Sequence, residues 1–129
     1  MEEITKNLLT LLKADTTVSA AFGNRMYVNL VPDGTAYPYA VIRKVLENAD
    51  YTHDGIYGTV SVVQIDVYDD SLLDCNTNAD KIFTAIDGKS MAIGSVARGL
   101  VFTQNLSHNW VPEERRFRCM IQAVISRTV

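Results

Sequence analysis

The middle of the chain, Thr59-Val60-Ser61-Val62-Val63-Gln64-Ile65-Asp66-Val67-Tyr68, leaves little choice about the fold. It is rich in β-branched residues and runs straight into Asp69-Asp70-Ser71, a cluster of helix-starting residues. Val63, Ile65 and Val67 alternate with Gln64, Asp66 and Tyr68, so the segment reads as a strand with one apolar and one mixed face. Val60 and Val62 fall on the opposite parity. Either the strand is bulged there or both of its faces are partly covered. A strand of this kind needs hairpin partners at its edges and helices over its apolar face.

The flanking segments supply both. Ile4, Leu8, Leu11 and Leu12 recur at helical spacing, with Leu9 widening the stripe, which predicts an amphipathic helix over about residues 2–14. Glu2 and Glu3 in its first turn and Lys13 in its last match the macrodipole. Asp15-Thr16-Thr17 offers caps for a short helix from Thr17 to Phe22, closed by Gly23 and Asn24. Met26 to Val31 is a short strand ending at Pro32, and Pro32-Asp33-Gly34-Thr35 is a turn. Tyr37-Pro38-Tyr39 re-enters extended structure, since a residue before proline is pushed out of the α region. Tyr39 to Glu47 is the second strand, with Tyr39, Val41 and Val45 on one face and Ala40, Ile42, Lys44 and Leu46 on the other.

Residues 48–58 read as the longest irregular connection, turning at Asp54-Gly55. Tyr51, Ile56 and Tyr57 are more apolar surface than a solvated tip needs, so this hairpin either touches a neighbouring subunit or packs on its own domain. Beyond the central strand, Asp70 or Ser71 caps a helix to about Ile86, with Gly88 closing it. Its stripe is Leu72, Leu73, Ala79, Ile82, Phe83 and Ile86, although Asn76-Thr77-Asn78 allows a start nearer Thr77. Residues 89–99 are weakly patterned, with Met91, Ile93 and Val96 as packing points. Strands follow from about Leu100 to His108 and from Arg116 to Thr128, joined by residues 109–114 with Trp110 and Pro112. The order α-α-β-β-β-α-β-β predicts a single α+β domain over residues 1–129: one largely antiparallel sheet of four to five strands with helices mainly on one face.

Chemistry is sparse. His53 and His108 have no Cys, Asp or Glu partners at metal-ligand spacing, and Asp54 beside His53 reads as turn chemistry. Asp69, Asp70 and Ser71 read as capping residues, and Asp66 as a solvent- or interface-facing carboxylate, or a buried one. No nucleophile elbow, phosphate loop or dinucleotide fingerprint occurs. Cys75 and Cys119, far apart in an acidic chain with no signal-peptide pattern, read as buried free thiols of a protein that works in the cytoplasm or in something assembled there. No run approaches the roughly 20 apolar residues that span a bilayer. A net charge of −3 argues against dedicated nucleic-acid binding. Arg115-Arg116-Phe117-Arg118 follows Glu113-Glu114 and reads as a salt-bridged strand entry. The expectation is a non-enzymatic protein with no cofactor and no metal.

A set of blocks along the chain carries a resemblance. They are Leu8-Leu9-Thr10-Leu11-Leu12-Lys13-Ala14-Asp15, Val18 to Tyr27, Val31-Pro32, Tyr37-Pro38-Tyr39-Ala40-Val41-Ile42, Val63-Gln64-Ile65-Asp66-Val67-Tyr68, Ala79-Asp80-Lys81-Ile82 and Phe117-Arg118-Cys119-Met120-Ile121. Together they resemble the tail-completion proteins of long-tailed bacteriophages and prophages, related in fold to tail terminators. The resemblance implies a virion component, assembled in the host cytoplasm, that forms a homo-hexameric ring at the head-proximal end of the tail. Such a ring ends tail-tube polymerisation and joins tail to head, so its partners are the tail-tube protein and a head-completion or connector protein. Genomic DNA would cross the lumen without sequence-specific binding, which a mildly acidic wall favours. A neck or connector subunit, or another small assembly module, is the alternative. A ring requires different surfaces on the two sides of each subunit. The candidate contacts are Tyr51, His53, Asp54, Ile56 and Tyr57 of the hairpin, the polar strand face Gln64, Asp66 and Tyr68, and Trp110.

Overall fold

The structure is a computed structural model that describes the backbone of residues 2–32, 34–52, 55–88, 90–93, 97–111 and 116–128, and the side chains of 5–32, 34–43, 61–88 and 116–125. The elements run α1 (Glu2–Ala14), α2 (Thr16–Phe22), β1 (Met26–Val28), β2 (Tyr39–Thr52), β3 (Gly55–Asp69), α3 (Leu72–Ile86), β4 (Ser90–Ile93), β5 (Ala97–Val111) and β6 (Arg116–Thr128). The strands form one sheet in the order β1-β2-β3-β6-β5-β4. Every neighbouring pair is antiparallel except β1 and β2. The α+β class and the expected element order hold, with one insertion. β4 pairs with the start of β5, and its four residues are too few for a period to show in sequence.

The three helices share one face of the sheet. Cross-strand rows Ala40–Val67–Cys119 and Ile42–Ile65–Ile121 form its floor, continued by Val63–Ala123 and Ser61–Ile125. Leu8 and Leu12 of α1, Val18 and Phe22 of α2, and Cys75, Ala79, Ile82 and Ile86 of α3 close over those rows, and all are buried. Leu9 and Leu11 pack at the edge of this core. Asp15 caps α2, accepting from the N–H groups of Thr17 at 3.0 Å and Val18 at 3.1 Å. Gly23 ends α2 with φ 59°, in the left-handed region that glycine tolerates.

α3 begins at Leu72, with Ser71 as its cap, so Asn76-Thr77-Asn78 does not delay it. Its buried stripe is Cys75, Asn78, Ala79, Ile82, Ala85 and Ile86. This corrects the expected stripe. That phase puts Leu73 opposite the sheet, 74% exposed, and leaves Leu72 and Phe83 on the flank of the stripe, 44% exposed and half-buried. Cys75 and Cys119 are buried free thiols, as expected. Cys75 Sγ donates to the Val67 carbonyl at 3.3 Å and Cys119 Sγ to Asn76 Oδ1 at 3.2 Å. Burial pushes both thiols above their ordinary pKa, Cys75 the further, so neither is a ready thiolate.

The off-parity valines, Val60 and Val62, do not mark a bulge in β3. β3 stays in unbroken register with β6 from Gly58 to Asp69, so β3 itself is regular there. The irregularity lies in the partner strand: Lys44 pairs with Val63 and Leu46 with Val62, leaving Val45 as an extra residue in β2. Val62 is accordingly half-buried on the face away from the helices. Leu46 stands opposite Val62, one residue out of step with the register from Tyr39 to Lys44.

Residues 48–52 and 55–58 are continuations of β2 and β3, which corrects the expected irregular connection there. A second register shift makes Tyr57 the unpaired residue, with Tyr51 opposite Ile56. Trp110 likewise belongs to β5, opposite Phe117, and not to a connection. His53, Asp54 and residues 112–115 lie outside the described residues.

Candidate docking face

The candidate site follows from the parallel pairing of β1 and β2. Neighbouring parallel strands cannot be joined by a tight turn, so the chain must travel back along the sheet between them. Here the return segment, residues 29–38, crosses the face away from the helices. Asn29 N–H donates to the Ile42 carbonyl at 3.0 Å, and the residue adopts φ 67°, a conformation asparagine tolerates better than most. Arg25 Nε then donates to the Pro38 carbonyl at 2.9 Å, tying the end of the segment to the end of α2. Gly34, with φ 77°, lies in the expected turn, where the Thr35 hydroxyl donates to the Pro32 carbonyl. Asp33 lies outside the described residues.

Under this segment a small second core forms from Tyr39, Val41 and Tyr68, with Tyr27 and Val31 packed against it. The Tyr37 and Tyr39 rings stack at 5.6 Å, and Tyr39 meets Tyr68 at 5.1 Å. The Arg116 guanidinium lies over the Tyr68 ring at 4.0 Å and over Tyr39 at 5.6 Å. A cation over aromatic faces contributes about 0.5–2 kcal/mol, depending on how dry it is. Burial lowers the Arg116 pKa, but a guanidinium stays charged at any relevant pH. Between the aromatic ladder and the return segment is a cleft of about 530 Å³, with Leu30, Val31, Tyr37, Arg43 and Arg116 among the residues that line it. Leu30 on its rim is 83% exposed.

The polar face of β3 is the floor beside this cleft. Asp66 is fully buried, and its carboxylate accepts from Gln64 Nε2 at 3.0 Å on each oxygen. Arg43 Nη1 stands 3.6 Å from Asp66 Oδ2, with its side chain still 46% exposed. Arg118 stands opposite Tyr68 on β6. Burial, and then the Asp66 charge, raise the Tyr68 pKa above its ordinary 10.0. Asp69, one residue on, is buried on the helix side. It accepts from the Asp70 N–H at 2.8 Å and from Asn78 Nδ2 at 3.2 Å, and burial raises its carboxyl pKa.

The structure thus brings Gln64, Asp66 and Tyr68 together on the face without helices. Asp66 faces neither solvent nor a helix: Arg43 and Gln64 cover it. Of the other sequence candidates, Tyr51, Ile56, Tyr57 and Trp110 are placed by backbone register only. The three arginines and the return segment are what the sequence alone does not reveal as a site. Arg116 and Arg118 alternate at strand spacing, which is the available signal, but the tyrosines they meet come from β2 and β3. The face offers cations, aromatic surface and one internally neutralised carboxylate. Among the described residues no group of three His, Cys, Asp or Glu side chains is placed to hold a metal. None of the described helices is long and apolar enough to cross a membrane.

Against known families, residues 6–125 match the model described as tail completion protein gp17. The chain belongs to this family. As a tail completion protein it is a structural component of the virion tail. A chain in the solved virion of a native gene transfer agent particle has the same fold, with a TM-score of 0.79 at 16% identity over 99% of this chain and 96% of that one. No curated protein matches the sequence.

Proposed function

We propose that the tail completion protein forms a closed ring at the head-proximal end of the tail, ends growth of the tail tube there, and presents the surface on which the head is joined. The family match over residues 6–125 carries this reading. The two unlike faces of the sheet support it: a ring is built from heterologous contacts, in which one side of each subunit meets a different side of the next. A sheet with helices on one face and an open cleft on the other provides such a pair. The whole chain acts as one domain, and six copies make the ring. Its neighbours are the tail-tube protein below and a head-completion or connector protein above, with genomic DNA passing through a lumen that does not bind it sequence-specifically. Tyr51, His53, Asp54, Ile56, Tyr57 and Trp110 are proposed as contacts between subunits or with these neighbours. Gln64, Asp66 and Tyr68 are likewise proposed at a subunit interface, as the platform beneath the cleft.

Size-exclusion chromatography with light scattering, on the free protein and on the protein mixed with tail tubes, tests the ring. The expected result is a discrete oligomer, alone or on the tube end. A monomer at every attainable concentration that also ignores tail tubes would contradict it.

A further inference from the structure

The two unlike faces carry complementary chemistry at one end of the sheet. On the open face, the cleft combines Arg43 and Arg116 with exposed Leu30 and Tyr37. Among the described residues the acid beside it is the buried Asp66, already engaged by Arg43 and Gln64, so these residues make a cationic and apolar spot on a protein of net charge −3. On the helix side, the start of α3 projects Leu72 and Leu73 into solvent, flanked by exposed Asp70 and Asp74. Neither aspartate forms a salt bridge with a described residue. Large exposed leucines beside such acids, at the first turn of a helix whose other face is buried, form a projection suited to an apolar and cationic partner.

We propose that the α3 start of one copy docks into the cleft of the next, with Leu72 and Leu73 against Leu30 and Tyr37, and Asp70 and Asp74 facing Arg43 and Arg116. This rests on the ring reading and assigns its subunit contact. Opposite signs and matching apolar surface fix register as well as attraction. Tyr68 in the cleft and Leu72 on the projection are close in the chain, on opposite sides of the sheet at the same end of β3. The contact joins two different surfaces, so it is heterologous, as a ring requires.

Paired cysteines test the contact in the full chain. Leu30→Cys and Leu73→Cys are both at exposed positions, and the native thiols are buried with raised pKa values, so they do not compete. Under mild oxidation the double variant is expected to give a ladder of disulfide-linked multimers on a non-reducing gel, and neither single variant gives one. In parallel, Asp74→Arg should weaken self-association by at least about tenfold, and Arg116→Glu added to it should restore part of the loss. Assembly seen by light scattering without a disulfide between the two introduced cysteines overturns the docking while leaving the ring standing. So does an Asp74→Arg protein that assembles normally, or a Leu30→Cys thiol that links to the tail-tube protein instead. Absence of any assembly, alone or on tail tubes, overturns both.

Discussion

Asp66 shows how one buried charge shapes a surface. A carboxylate removed from water is tolerable when it is paired and hydrogen-bonded, and Asp66 has Arg43 and both of its Gln64 contacts. Removing one partner of a buried pair is more costly than the pair is stabilising. Because Arg43 remains half-exposed, the cost falls below that of a fully buried pair: Arg43→Ala should lower the unfolding free energy by about 1–2 kcal/mol, read from urea unfolding. An unchanged midpoint would mean that water replaces the guanidinium freely. Tyr68 gives a pH signature on the same face. Its pKa is raised in the fold, so its contribution to stability is fully present below the unfolded value of 10.0 and is lost as pH rises through the folded value. The thermal stability of the wild type should therefore fall more steeply above pH 10.0 than that of Tyr68→Phe. Parallel curves would contradict the assignment.

Elements are legible in the sequence where their signal is local. The helices at 2–14 and 16–22, the edges of β6 and the class of the sheet follow from period, caps and β-branched runs, because each depends on neighbours in the chain. The phase of α3 does not. Leu72 and Leu73 look like core by hydrophobicity, yet Cys75, Asn78 and Ala79 hold the buried positions because α3 meets β3 and β6 through that side. The hairpin reads as a loop for a similar reason: polar residues such as Asn48 and Asp50 can extend β2 when the ladder with β3 satisfies their backbone. The cleft is illegible because it joins β2, β3 and β6 with a return segment whose course depends on β1 and β2 being parallel. At this level the N-cap of α2 is a clear test. A helix as short as Thr16–Phe22 depends on its cap, and Asp15→Ala should destabilise the protein by about 1 kcal/mol in urea unfolding. No loss would indicate that packing of Val18 and Phe22 suffices alone.

At the scale of the molecule, the sheet has a face covered by the helices and a face without them, and among the described residues the buried core lies almost entirely on the helix side. That division suits a structural role: helices and sheet provide a stiff body, while the cleft, the exposed start of α3 and the long β2–β3 hairpin are the surfaces proposed here to meet other proteins. Deleting residues 49–57 joins Asn48 to Gly58, a turn-compatible pair, so the shortened protein should fold, and if the hairpin is a contact it should fail to assemble or to join heads. A folded deletion protein that assembles fully would remove the hairpin from the interface. The most direct measurement is electron microscopy of tail tubes polymerised with and without the protein. The ring account predicts one ring of density at a single end of each tube, with growth stopped there. Tubes that keep growing at both ends, or protein spread along their length, would contradict it.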